Sequence, residues 1–106
     1  MGTEDRLKKL LADGMYLRDN NQVADAISTF ATLIAEFGGN EDPLIRRYVA
    51  EALLNLGVLL KRAGDPGKAI MAFDAILTDW TDEGEGFFVA LVNKGSALTM
   101  LGRDEE

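Results

Sequence analysis

The amino-acid sequence predicts an all-α fold in which five helices form antiparallel pairs of an α-solenoid. Apolar residues recur at intervals of three and four along the chain, as one face of a helix requires. No segment shows the sustained alternation of apolar and polar residues that is typical of a strand. Turn-forming residues divide the helical pattern, and parts of the sequence repeat.

The first two helices are predicted at residues 4–19 and 22–37. The apolar face of the first is formed by Leu7, Leu10, Leu11, Gly14 and Leu17. The face of the second is formed by Ala26, Ile27, Phe30, Leu33, Ile34 and Phe37. Asn20 and Asn21 occupy the turn between these helices, since asparagine is the residue that most readily follows glycine into positive φ.

The remaining helices are predicted at residues 43–63, 66–80 and 85–101. Asp42 is expected to cap the third helix, with a proline at its first position, where a missing N–H costs nothing. Gly64 is expected to end that helix in the left-handed conformation, and Asp65 to cap the fourth helix ahead of Pro66. Asp82 with Glu85 resembles a capping box before the fifth.

Composition restricts the possible functions of this single domain, which spans residues 1–106. Lys and Arg number 11 against 18 Asp and Glu, so the net charge of −7 argues against nucleic acid as a partner. Histidine and cysteine are both absent, which removes the commonest general base and metal ligand, thiolate metal sites and cysteine nucleophiles. We therefore expect a non-catalytic protein without a metal or a cofactor.

Targeting signals are not evident in the sequence. The N-terminus has no basic segment followed by an apolar run, as a signal peptide requires. The longest apolar stretches are far too short to span a membrane. The sequence therefore predicts a soluble cytoplasmic protein that has no membrane partner.

An internal repeat relates the predicted helix pairs. Gly14, Ala26, Ile27 and Phe30 recur 43 positions later as Gly57, Ala69, Ile70 and Phe73. A partial third copy follows at an offset of 38, in which Leu53, Asn55, Gly57, Leu60 and Gly64 become Leu91, Asn93, Gly95, Leu98 and Gly102. A glycine inside a helix costs about 1 kcal/mol relative to alanine. We therefore expect another helix to cross closely at Gly14, Gly57 and Gly95.

The small residues Ala26 and Ala69 are expected to face the first two glycines from the second helix of each pair. Phe30 and Phe73 are expected to fill the space between one helix pair and the next.

The middle copy resembles a tetratricopeptide repeat. The resemblance rests on Leu53, Leu56-Gly57, Leu60, Gly64-Asp65, Ala69-Ile70 and Phe73. The first copy has Asp13 before its glycine, and the third matches only through its first helix. The spacing departs from the 34 residues of the family, so the chain resembles a bacterial-type protein with lengthened repeats. This resemblance implies repeats at about 4–37 and 43–80 and a partial repeat at about 85–103.

Such repeats stack into a right-handed superhelix with a concave face, which in the resembling family is lined by the first helix of each pair. The implied lining in the first copy is Lys8, Leu11, Ala12, Met15, Arg18 and Asp19. In the second copy it is Glu51, Leu54, Asn55, Val58, Lys61 and Arg62. In the partial third copy it is Val89, Val92, Asn93, Ser96, Thr99 and Met100.

The implied function is that of a protein-interaction module. An apolar groove whose ends carry Lys8, Arg18, Lys61 and Arg62 suits an amphipathic helix, or an apolar peptide with acidic flanks. Asn55 matches one position of the carboxylate clamp known in the family. The other positions hold Leu11, Met15, Val89 and Asn93, which cannot supply the charge, so no clamp for a C-terminal carboxylate is expected.

Self-assembly, or membership of a longer scaffold, is the alternative. The fifth helix carries Phe87, Leu91, Leu98 and Leu101, yet no sixth helix follows in the sequence to cover them. Because the ends of solenoids normally need a polar cap, this face predicts a homodimer or a fragment of a longer array.

Overall fold

A computed structural model describes residues 2–79 and 85–102 of the chain. These residues form five helices and no strand: α1 Thr3–Asp19, α2 Val23–Phe37, α3 Pro43–Arg62, α4 Pro66–Asp79 and α5 Glu85–Met100. The predicted all-α fold is confirmed, and each helix begins and ends within one residue of its predicted bounds. Asp82, the first residue of the predicted capping box, lies outside the described residues. None of the five helices is both long enough and apolar enough to cross a membrane, among the residues described.

The turns adopt the local structures that their residues predict. The Asp42 carboxylate accepts a hydrogen bond of 2.9 Å from the backbone N–H of Leu44, which caps α3. The Asp65 carboxylate accepts one of 3.2 Å from the backbone N–H of Lys68 at the start of α4. Asn21 and Gly64 take φ values of 63° and 85°, in the left-handed region where these residue types are tolerated.

The helices stack in two rows around one apolar core. Neighbours along the chain pack side by side, and α3 also contacts both α1 and α5. The first helices of the pairs therefore line up as α1, α3 and α5, with α2 and α4 behind them. Phe30 and Phe73 are the largest fully buried side chains, one in each helix pair. Burial of these aromatic rings is a main source of stability for the stack.

Each of these two rings lies directly on a glycine of the preceding helix. A Cβ on Gly14 would come within 2.6 Å of Cε1 of Phe30, and one on Gly57 within 2.5 Å of Cε1 of Phe73. The atoms nearest to these glycines belong to the phenylalanine rings of the same pair, and not to Ala26 or Ala69.

Gly95 differs from its two counterparts. In the described part of the chain, no atom outside its own helix backbone lies within 4 Å of the place that a Cβ would take. The expectation of a close helix crossing at Gly95 is therefore wrong for this structure, and the glycine is exposed.

Candidate protein-binding groove

An open cavity of about 610 Å³ lies where α1, α3 and α5 meet. Leu54, Val58 and Val89 contribute its apolar surface. The polar lining consists of Arg18, Asp19, Asn21, Glu51, Asn55 and Arg62. Since two cationic and two anionic side chains are included, the cavity is amphipathic and close to neutral.

A hydrogen-bonded bridge joins α1 to α3 beside this cavity. Nη1 of Arg18 donates a hydrogen bond of 2.5 Å to Oδ1 of Asn55, which is buried. Nδ2 of Asn55 in turn donates a bond of 2.9 Å to the backbone carbonyl of Glu51, one turn earlier in α3. Both polar atoms of the buried amide are therefore paired, as burial requires.

The same bridge recurs between α3 and α5. Nζ of Lys61 donates a hydrogen bond of 2.9 Å to Oδ1 of Asn93 and a longer one of 3.3 Å to the hydroxyl of Ser96. Nδ2 of Asn93 donates to the backbone carbonyl of Val89 at 2.9 Å. We call the pairs Arg18–Asn55 and Lys61–Asn93 the asparagine bridges.

The asparagine bridges change which cations a ligand can meet. Arg18 also pairs with the carboxylate of Asp19 at 2.9 Å, so its donors are engaged on two sides. Within residues 2–79 and 85–102, by contrast, no hydrogen bond or ion pair engages the side chain of Arg62 or Lys8. Of these two free cations, Arg62 lines the cavity.

The other residues that the sequence predicted for the groove lie outside the cavity lining. Leu11 and Met15 are half-buried and pack against the core, and Lys8 is exposed on α1. Val92 is exposed on α5. The cavity is thus lined by fewer residues than the predicted groove, and most of them belong to α3.

Asn21 is the lining residue that the sequence analysis missed. Its left-handed backbone turns the chain from α1 into α2, at the rim of the cavity. The Asn20-Asn21 pair predicted this turn, but only the packing of α1 against α3 shows that the turn meets the cavity.

The predicted self-association residues divide between buried and exposed positions. Leu91 and Leu101 are exposed, whereas Phe87 and Leu98 are half-buried. Phe88, the neighbour of Phe87, is the more exposed of the two aromatic rings. In the part of the chain that the structure describes, no three acidic, histidine or cysteine side chains gather in a way that could hold a metal ion.

Comparison with protein-family models matches residues 51–82 to the tetratricopeptide repeat. The match covers the second half of α3 and all of α4, including Gly57 and the ring of Phe73 that lies on it. This match supports a tetratricopeptide repeat in the middle of the chain. Neither the comparison with curated proteins nor that with solved structures gave a match. Tetratricopeptide repeats generally mediate protein–protein interaction and are typically non-catalytic.

Proposed function

We propose that this chain binds an apolar peptide or an amphipathic helix in the cavity between α1, α3 and α5. The observation that carries the proposal is the open cavity itself, in which three aliphatic side chains lie beside a cation without a partner among the described residues. A ligand would bury apolar side chains against Leu54, Val58 and Val89. A carboxylate of the ligand would pair with Arg62.

The asparagine bridges support this mode of binding over capture of a C-terminal carboxylate. Oδ1 of Asn55 already accepts from Arg18, and Nδ2 already donates to a backbone carbonyl. A ligand carboxylate would find at this amide only the second N–H of Nδ2, which is a single neutral donor. We therefore expect a ligand to be recognised through its side chains, with no requirement for a free C-terminus.

The bridges also give the groove a fixed shape before a ligand arrives. They join the three helices that surround the cavity through paired polar groups. A preorganised groove loses less conformational entropy on binding than a flexible one. The proposed role is therefore that of a rigid, non-catalytic docking surface.

Selection of peptides from a random displayed library on the 106-residue chain would test the proposal. The selected peptides are expected to combine apolar residues with at least one acidic residue. They should lose about tenfold or more in affinity for the Arg62→Glu variant, because the change places like charges together. Arg47→Glu is the matched control, since it makes the same charge change in α3 away from the cavity lining. Peptides that bind both variants as well as the parent chain would contradict the groove.

A further inference from the structure

The outer face of α5 carries an exposed apolar stripe. Phe88, Leu91, Val92 and Gly95, here called the α5 stripe, are spaced at three and four residues and so lie on one side of the helix. The side chains of Phe88, Leu91 and Val92 are 65%, 49% and 56% exposed, although large apolar side chains are usually buried. None of these residues lines the proposed groove.

Gly95 is an open site of the kind that a phenylalanine ring fills elsewhere in the chain. Its counterparts Gly14 and Gly57 each lie under the ring of a fully buried phenylalanine. Leu53, four residues before Gly57, is buried in the apolar core, but the corresponding Leu91 before Gly95 is half exposed. The α5 stripe therefore resembles the surfaces around Gly14 and Gly57. Those two surfaces are covered by phenylalanine rings of this molecule, whereas the α5 stripe is exposed.

The α5 stripe also carries the residue pattern of α2 and α4, the two helices whose phenylalanine rings cover Gly14 and Gly57. In both covering helices a phenylalanine is followed, three and four positions later, by two aliphatic residues. The three sets are Phe30, Leu33 and Ile34 in α2, Phe73, Ile76 and Leu77 in α4, and Phe88, Leu91 and Val92 in α5. The first two sets are already packed in the core. Only the third is available to a second molecule without unfolding.

The ring and the open glycine lie at matching positions for a two-fold arrangement. Phe88 and Gly95 are equally distant from the midpoint between Leu91 and Val92. When two copies of α5 pack antiparallel about an axis through that midpoint, Phe88 of each copy lies opposite Gly95 of the other. Leu91 of each copy then lies opposite Val92 of the other, so the surface is self-complementary, as a symmetric dimer interface requires.

We propose that the α5 stripe is a homodimer interface in which Phe88 of one copy packs onto Gly95 of a second copy. Two rings are buried in this way, one on each side of the axis. The interface is small, so the dimer is a weak one that forms at high protein concentration. None of the α5 stripe residues lines the proposed groove, and the proposal of the groove does not depend on the dimer.

Molar mass measured by light scattering from about 10 µM to about 1 mM tests the proposal in a range suited to weak interfaces. The parent chain is expected to rise from 11.5 kDa towards twice that mass. Gly95→Ala and Phe88→Ala should each raise the dissociation constant of the dimer by about tenfold or more. Gly95→Ala keeps the fold, since a Cβ meets nothing there in the described structure and alanine favours a helix.

Two control variants separate the proposed contact from general effects of substitution. Gly86→Ala makes the same change in α5, also in open space, but away from the stripe. Tyr16→Ala removes an aromatic side chain of the same 65% exposure from α1. Both controls should dimerise as the parent chain does.

A mixture of the Phe88→Ala and Gly95→Ala variants distinguishes the two-fold arrangement from other modes of association. In the mixed dimer the remaining phenylalanine of one copy meets the remaining glycine of the other, so the heterodimer should be tighter than either homodimer. A mixture no tighter than its components would overturn the arrangement. A parent chain that stays monomeric throughout would overturn the dimer, and binding of a synthetic peptide of residues 66–79 at Gly95 would then assign the face to a helix of another protein.

Discussion

Arg18 and Lys61 make equivalent hydrogen bonds, Arg18 to the side chain of Asn55 and Lys61 to that of Asn93. In both pairs a cation from the last turns of one helix donates to the amide oxygen of an asparagine in the next helix of the row. In both pairs the asparagine amide donates back to the carbonyl four residues before it. The cations are 43 residues apart and the asparagines 38, which are the two offsets of the sequence repeat. A repeated polar contact thus sets how successive repeats meet.

Replacing Asn55 by alanine should destabilise the protein more than the same change at Asn93. Asn55 is only 7% exposed, so the loss of its hydrogen bonds to Arg18 and to the Glu51 carbonyl leaves buried groups unpaired. We expect a loss of about 1–3 kcal/mol in the free energy of unfolding for Asn55→Ala. For Asn93→Ala, at a half-buried position, we expect less than about 1 kcal/mol, since water can replace the lost bonds. Urea denaturation measures both, and equal losses would contradict the role of burial.

Replacement by alanine should destabilise the protein at Gly14 and Gly57 but stabilise it at Gly95. At Gly57 the new Cβ would meet the buried ring of Phe73, and we expect a loss of about 1–3 kcal/mol in the free energy of unfolding. Gly14→Ala should behave similarly, because Phe30 is buried in the same way. Gly95→Ala should instead gain up to about 1 kcal/mol from its higher helix propensity. Thermal and urea unfolding at low protein concentration measure these changes. A change of the same sign in the free energy of unfolding for all three variants would contradict the prediction.

The ion pair between Arg6 and Glu36 should make stability depend on pH in the acid range. Both guanidinium contacts to the carboxylate measure 2.6 Å, and the hydrogen bond from Arg6 lowers the pKa of Glu36 below its ordinary value of 4.5. A lowered carboxyl pKa stabilises the folded state above that ordinary value, and the contribution disappears as the pH falls through the folded pKa. Melting temperature should therefore fall more steeply between about pH 5 and pH 3 in the parent chain than in Glu36→Gln.

Two control measurements test whether the ion pair between Arg6 and Glu36 causes this pH dependence. Glu41→Gln changes an exposed carboxylate that has no ion pair among the described residues, so its acid profile should follow that of the parent chain. Added salt should narrow the difference between the parent chain and Glu36→Gln, because both partners of the Arg6 pair are accessible to solvent. Identical acid profiles for the parent chain and Glu36→Gln would show that the pair contributes nothing.

Removal of the Asp42 cap should weaken α3 at its N-terminus. Asp42→Ala loses the hydrogen bond to the backbone N–H of Leu44, and we expect a loss of about 1 kcal/mol in the free energy of unfolding. Asp42→Asn keeps an acceptor oxygen and should lose less than half of that amount. Hydrogen exchange of the first α3 amides, together with urea unfolding, would separate the two variants. Equal behaviour of Asn and Ala at this position would exclude the cap as the cause.

Local sequence signals determined the five helices. The spacing of apolar residues defined each face, and Asp42, Asn21, Gly64 and Asp65 defined the turns, because capping and positive φ involve only neighbouring residues. The repeat offsets likewise identified Gly57 and Phe73 as a related set. These features are short in range, and they can be read without knowing how the helices are placed.

The tertiary structure determined which contacts these residues make between helices. It placed the phenylalanine rings on the glycines, engaged Arg18 and Lys61 in bridges, and left Arg62 and the surface around Gly95 open within the described residues. Each outcome depends on the distance between side chains of different helices. A pattern along one helix contains no information about distances to other helices. For this reason the sequence indicated the faces of the helices but not which of their residues are covered by contacts and which are exposed.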